Sequence, residues 1–211
     1  DPKHAMEKVE PGKFANDNNF VPGNAAVELP STTHLSAIDA EGNAVALTSS
    51  IEYFFGSALS VDGFLLNNQL TDFSFEPEKN GKKVANRVEP GKQPRSSMAP
   101  TFVFENDKLI MVAGSPGGPR IIQFVLKEIV NHLDFGLDVQ ESASIPTFVV
   151  LNNVVELEKG SNITKLIPWL KMMGHKVKTV EIVSGINAIT ISNDKIQGGT
   201  DPRREGFAIG F

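Results

Sequence analysis

Thr32 heads the first strongly patterned segment, Thr32-Thr33-His34-Leu35, after a stretch with little apolar periodicity. A threonine released at a chain terminus holds both halves of a nucleophilic device: its hydroxyl attacks and its own α-amine takes the proton. Cutting the Ser31–Thr32 bond would make Thr32 such a residue. Composition closes most other routes. Cys is 0, which excludes disulfides, thiolate metal sites and a cysteine nucleophile. The four histidines, His4, His34, His132 and His175, are too dispersed to suggest zinc. Gly114-Ser115-Pro116-Gly117 has the wrong spacing for a serine-hydrolase elbow, and no Lys-Ser/Thr pair follows Gly118 to make a phosphate loop. Taken alone, Thr32 could equally be the first residue of a β-strand, where Thr is common.

The bulk properties narrow the class. With 20 basic against 25 acidic residues the chain carries a formal charge of −5, a poor match for polyphosphate, so no nucleic-acid partner is expected. The 211 residues, 40% apolar and 21% charged, have the makeup of a globular domain rather than a disordered chain. No apolar run reaches membrane-spanning length. Asp1-Pro2-Lys3-His4 is not the opening of a signal peptide. A start without Met suggests a processed or truncated piece, so compartment is not legible there.

The elements that must position Thr32 follow from local pattern. Residues 1–31 hold Pro2, Pro11, Pro22 and Pro30 around Asn16-Asp17-Asn18-Asn19 and read as a linker or arm, with one helical turn around Ala5–Val9. Leu35, Ala37 and Ala44–Leu47 flank Ala40-Glu41-Gly42-Asn43 and predict a β-hairpin. Gly63–Leu66 reads as a short buried strand, and 76–95 as an exposed polar loop. Thr101–Phe104 and Leu109–Val112 bracket Asn106-Asp107 in a second hairpin. A helix is expected from Arg120 to Leu133, with Ile121, Ile122, Val125, Ile129, Val130 and Leu133 at helical spacing. Phe124 and Leu126 widen its apolar face, so burial on more than one side is expected, with Gly136 as the stop. A second helix is expected over Asn162–Met173. Ser161 is its N-cap, Ile163, Leu166, Leu170 and Met173 face inward, Pro168 kinks or shortens it, and Gly174 closes it. Val177–Ile182, Ala188–Ser192 and Phe207–Phe211 read as strands, with Asn193-Asp194 as a turn. Trp169 and the Phe residues are expected in the core. Strands in blocks separated by helices give an α+β class.

Five short motifs in order carry a resemblance. They are Thr32-Thr33-His34-Leu35-Ser36 with its hairpin, Phe55-Gly56-Ser57, Leu65-Leu66-Asn67-Asn68-Gln69-Leu70-Thr71-Asp72-Phe73, Pro94-Arg95-Ser96-Ser97-Met98 and Gly114-Ser115-Pro116-Gly117-Gly118. Each is weak alone; together they resemble the small subunit of γ-glutamyltranspeptidases, members of the N-terminal-nucleophile hydrolases. The resemblance covers about residues 32 to 211, ending near Asp201-Pro202-Arg203-Arg204. It implies a four-layer αββα sandwich completed by a separate large subunit. Residues 1–31 would be the end of that large-subunit region, and 32–211 the catalytic small subunit. No metal or organic cofactor is implied. A periplasmic or secreted location is carried over from the family.

The resemblance also implies roles. Thr32 would be the nucleophile of both autoproteolysis and catalysis. Ser50 stands where the family usually has Thr and would hydrogen-bond that nucleophile; Ser keeps the oxygen and loses the methyl that fixes its rotamer. Glu52, Gln69 and Asp72 would hold the substrate's α-ammonium through charged hydrogen bonds. Ser96 and Ser97 would bind its α-carboxylate together with an Arg of the large subunit. Gly117 and Gly118 would offer backbone N–H groups to the oxyanion, where one donor is typically worth about 2.7–4 kcal/mol of barrier. The implied substrate is a small γ-glutamyl amide such as glutathione. Two alternatives keep the fold. A cephalosporin (glutaryl) acylase or polyglutamate-cleaving relative would use the same threonine, and the segment 76–95 lacks the lid Tyr of some transpeptidases. Glu52 and Asp72 speak against the acylase, because a glutaryl group has no ammonium to balance them. A non-catalytic, unprocessed binding protein is the other alternative. His34, Asn67, Asn68, Arg203 and Arg204 are read as structural: Asn67 and Asn68 satisfying backbone groups at a strand end, and the two arginines making ion pairs or capping carbonyls.

Overall fold

The computed structural model describes residues 20–21, 32–192 and 195–210. The expected helical turn at Ala5–Val9, most of the 1–31 arm, and the Asn193-Asp194 turn lie outside those residues. In chain order the strands are β1 (Phe20–Val21), β2 (Thr33–Ile38), β3 (Ala44–Ser49), β4 (Ser60–Val61), β5 (Phe64–Leu65), β6 (Glu78–Lys79), β7 (Lys82–Val84), β8 (Thr101–Glu105), β9 (Lys108–Gly114), β10 (Phe148–Leu151), β11 (Val154–Glu158), β12 (Lys176–Val180), β13 (Asn187–Ser192) and β14 (Lys195–Thr200). The α-helices are α1 (Ile121–Leu133), α2 (Val139–Ser144) and α3 (Ile167–Met172). They divide between two compact units, Asp1–Ala26 with Leu70–Arg95, and Val27–Gln69 with Ser96–Phe211.

The larger unit is built on the antiparallel sheet β14-β13-β9-β8. Asn106 and Asp107 between β8 and β9 both take positive φ, the twist a tight hairpin needs. Alternation along β9 separates two faces. Met111 and Ala113 point one way and are fully buried with Ala188 of β13 and Val139 of α2. Gly114 points the other way, against the His34 ring of β2. The β2–β3 hairpin therefore covers the face of the sheet opposite the helices, and Asn187 Nδ2 ties it down by donating to His34 O at 2.9 Å.

Helix α1 lies between two sheets. Ile121 and Val125 pack on Ala143 and Ile186, while Phe124 packs on Val149 and Ile182 beside the second sheet, β10-β11-β12. That explains a helix apolar on more than one side, although Ile122 and Leu126 are exposed. Two turns of 3-10 helix, Gly118–Arg120 and Asn162–Leu166, precede α1 and α3. Pro168 sits in the first turn of α3, where its missing N–H costs nothing, so it starts the helix and cuts the expected Asn162–Met173 span short.

Several expectations are corrected. Ser161 does not cap: its hydroxyl donates to Glu158 O instead. Leu166, Trp169 and Met173 are exposed, Trp169 by 62%, because α3 is too short to bury a full turn. Phe73 and Phe124 are core, whereas Phe54, Phe55, Phe64, Phe75 and Phe207 are exposed. The Gly63–Leu66 strand exists as β5 but pairs only with β4 and stays exposed. Residues 207–210 form no strand; β14 takes the place beside β13 instead. Helix α2 and strands β10, β11 and β14 have no clear periodicity in the sequence. Asp138 makes α2 possible by accepting from Gln140 N at 2.9 Å.

In the smaller unit β1 runs parallel to β7, which pairs with β6. The segment expected as a loop thus contains a small hairpin around Asn80-Gly81, and Val84 is buried beneath it.

Candidate active site

Thr32 precedes β2 and Ser50 follows β3, so the hairpin register, Thr33 opposite Ser49, brings their side chains to the same end. Thr32 Oγ1 donates to Ser50 Oγ at 3.2 Å, and Thr32 is 8% exposed. Ser50 Oγ also accepts from Glu52 N at 2.9 Å. The serine oxygen is therefore held by a backbone amide while it faces the threonine hydroxyl. Glu52 takes φ 74°, a left-handed conformation rare for a residue with a Cβ. Its Oε2 accepts from Gln69 Nε2 at 3.3 Å. Asn68 Oδ1 accepts from Tyr53 N and Asn67 Oδ1 from Gln69 N, both at 2.9 Å, so the two asparagines fasten the chain that presents Glu52 and Gln69.

Gly117 and Gly118 lie between β9 and α1 with φ 136° and 58°. A Cβ at Gly117 would stand 2.5 Å from Phe124 Cε2. Only glycine lets this turn pass so close to the helix, and the turn leaves Gly118 at the head of the 3-10 segment that leads into α1. Ser115, fully buried, reaches Ser184 O at 3.1 Å. Ser184 in turn donates to Asp201 Oδ2, and Gly185 N donates to the same oxygen at 3.3 Å. Burial alone would push the Asp201 carboxyl up, but the Ser184 hydroxyl and Arg203 hold it below the usual range. Arg203 is itself fixed by Glu158, Asp201 and the carbonyls of Ala143, Ser144 and Ile145.

The structure thus brings Thr32, Ser50, Glu52 and Gln69 into one chain of contacts. Ser96 is exposed, with its hydroxyl accepting from Met98 N at 3.2 Å, and Ser97 is half-buried. Asp72 belongs to the smaller unit, where it is buried and its carbonyl accepts from Asn86 Nδ2.

Two residues read as structural hold the hairpin that Thr32 heads. His34 hydrogen-bonds Thr48 Oγ1 at 2.7 Å and Ser36 Oγ at 3.1 Å, and burial lowers its pKa to about 4, so the ring is neutral. Arg204 Nη2 donates to Thr32 O at 3.0 Å across 172 residues of chain. The doubled arginine after Asp201-Pro202 was the available signal, but no local pattern says where the second one reaches.

Among the described residues no cluster suited to a metal ion occurs and no helix is long and apolar enough to cross a membrane.

A sheet carrying helices on one face and a hairpin headed by a threonine hydroxyl on the other is the arrangement of an N-terminal-nucleophile hydrolase fold, and solved γ-glutamyltranspeptidases share it. A sequence profile described as Gamma-glutamyltranspeptidase matches residues 1–211. The chain is 37% identical to the glutathione hydrolase proenzyme of Escherichia coli, covering 95% of this chain and 36% of the relative. It is 36% identical to the Bacillus subtilis proenzyme, covering 85% and 31%. A solved γ-glutamyltranspeptidase variant from Helicobacter pylori superposes with TM-score 0.73 at 38% identity, covering 82% of this chain and all of that one. The chain belongs to the γ-glutamyltranspeptidase family. It spans about a third of the length of the curated relatives it matches.

Proposed function

We propose that this chain is the nucleophile-bearing part of an enzyme that cleaves γ-glutamyl amides such as glutathione by acyl transfer. The observation that carries the reading is the Thr32–Ser50 hydroxyl pair, with the Glu52–Gln69 pair held two residues beyond Ser50.

In maturation Thr32 Oγ1 attacks the carbonyl carbon of Ser31; the Ser31 C–Thr32 N bond breaks as the ester forms, which frees the Thr32 amine, and water then hydrolyses the ester to part the chains and restore the hydroxyl. In turnover that amine takes the Oγ1 proton as the oxygen bonds to the γ-carbonyl carbon. The N–H groups of Gly117 and Gly118 receive the oxyanion. Collapse breaks the C–N bond, and the proton goes to the departing amine. Water, or the amine of an acceptor amino acid, then resolves the γ-glutamyl ester. Ser50 accepts from Thr32 Oγ1 and so aims it. Glu52 and Gln69 bind the α-ammonium, and we assign Asp72 to the same cation from the family resemblance. Ser96 and Ser97 take the α-carboxylate. The partner is a large subunit from the same precursor, in a periplasmic or secreted enzyme.

The outer face of the β2–β3 hairpin supports such a partner. Leu35, Val45 and Leu47 are each about half exposed there, at 54%, 50% and 53%. An apolar stripe of this kind fits an element supplied by the rest of the protein.

The test uses the full-length protein. N-terminal sequencing should find a chain starting at Thr32, and Thr32→Ala should leave the precursor uncut and lower γ-glutamyl anilide turnover at least ~10³-fold. An active wild-type protein with no chain starting at Thr32 overturns the mechanism. Faster cleavage of a glutaryl anilide than of the γ-glutamyl anilide overturns the substrate.

A further inference from the structure

We infer that Arg204 is a positioning residue whose guanidinium, seated on the Thr32 carbonyl, lowers the pKa of the α-amine released at Thr32 and so keeps that amine a base near neutral pH. The inference rests on the proposed N-terminal-nucleophile reading and adds a regulator to it.

Arg204 Nη2 donates to Thr32 O at 3.0 Å. The carbonyl and the α-nitrogen of one residue are separated only by Cα and the carbonyl carbon, so the cation lies within roughly 6 Å of the future amine. A like charge at that range disfavours the ammonium form. Two further observations show that the charge is held and not cancelled. Among the described residues Arg204 Nη1 is buried with no hydrogen-bond partner and no carboxylate pairs with the guanidinium. The stem is also clamped: a Cβ at Gly185 would stand 2.8 Å from both Arg204 Cδ and Pro116 Cγ. Arg204 therefore reaches Thr32 from the same point that supports the Gly117-Gly118 turn.

The other charged and titratable groups nearby do not substitute for it. His34, two residues along β2, is neutral above about pH 4. Glu52 bonds Gln69. Asp201 bonds Ser184 and Gly185 and pairs with Arg203, and Arg203 also pairs with Glu158. Glu205, the next residue, is exposed.

An unperturbed α-amine titrates near ~7.7–8.0. In the processed wild-type protein, labelled with ¹⁵N-threonine, the Thr32 amine should titrate at least half a unit below that range. The acid limb of the kcat/KM–pH profile on γ-glutamyl anilide should report the same group. Arg204→Gln should move that limb upward by about one pH unit. Arg204→Lys keeps a cation without the fork; it should lower kcat while leaving the limb within about 0.3 unit of wild type.

An amine titrating at or above 8 in an active wild-type protein overturns the inference while leaving the nucleophile reading intact. So does an Arg204→Gln limb that overlays wild type, or a Lys limb that moves as far as the Gln limb. If Arg204→Gln stays uncut, the wild-type titration decides. If no wild-type chain begins at Thr32, the underlying reading fails instead.

Discussion

Two hairpins of the larger unit have opposite polarity. In β8–β9 the face toward the helices is apolar, with Met111 and Ala113 fully buried. In β2–β3 the covered face carries His34, Ser36 and Thr48, joined through the His34 ring, while Leu35, Val45 and Leu47 point outward. Both have the period-2 alternation of a strand, and alternation does not say which face will be inside. The first hairpin contributes to stability through packing. The second sacrifices packing on its inner side for a hydrogen-bonded face that ends at Thr32 and Ser50, and its apolar side is exposed.

Substitutions can break that comparison. The largest effect is expected at Met111→Ala, about 2–5 kcal/mol of stability in a urea titration, because the side chain is fully buried in the core. Gly114→Ala comes next, at about 1–3 kcal/mol. Its Cβ would stand 2.1 Å from His34 Cε1, so the ring that links Ser36 and Thr48 across the hairpin must move. Leu47→Ser should change the stability of this chain by no more than ~0.5 kcal/mol. In the full-length protein the same change should cost several times more if the proposed large subunit covers the outer face. Equal losses at Met111 and Leu47 in the isolated chain would erase the distinction between the hairpins.

The mildest effects are slopes with pH, and His34 of the β2–β3 hairpin and Glu128 of the core helix α1 give opposite signs. His34 titrates near 4 when folded against 6.5 unfolded, because burial disfavours its charged form. The unfolded chain binds the extra proton between those values, so stability falls as pH drops from about 6.5 to about 4. Glu128, buried in α1, is pushed up to about 7 by burial; Ser142 Oγ donates to its Oε2, and Oε1 has no partner among the described residues. The folded chain then holds the extra proton, so stability falls as pH rises from about 4.5 through about 7. His34→Asn should flatten the acid side of a stability–pH curve and Glu128→Gln the neutral side. A wild-type curve unaltered by either change would show that neither group is perturbed.

Much of the fold was readable where one short segment decides its own conformation. The β2–β3 and β8–β9 hairpins follow from alternation around Gly42-Asn43 and Asn106-Asp107, and α1 from its apolar spacing. The helix expected over 162–173 is present as a 3-10 turn and the short α3, divided at Pro168 as its missing N–H requires, but its inward face is not, because so short a helix leaves Leu166 and Met173 exposed. Helix α2 was missed because six residues are too few to show a period; an N-cap and contacts with α1 and β14 hold it. At the candidate site, Thr32, Ser50, Glu52 and Gln69 were nameable from the family resemblance, and Asn67 and Asn68 do serve backbone groups as their types suggest.

The sequence by itself determined which residue can be the nucleophile, the turns that present it and the family, because these rest on residue type and short spacing. Only the tertiary structure decided that the polar face of β2–β3 turns inward, that Gly114 must lack a side chain because of His34, and that Arg204 reaches Thr32 from the far end of the chain. Those facts depend on which distant surfaces pack together, and that choice is made by the summed burial of the whole core rather than by any local run of residues.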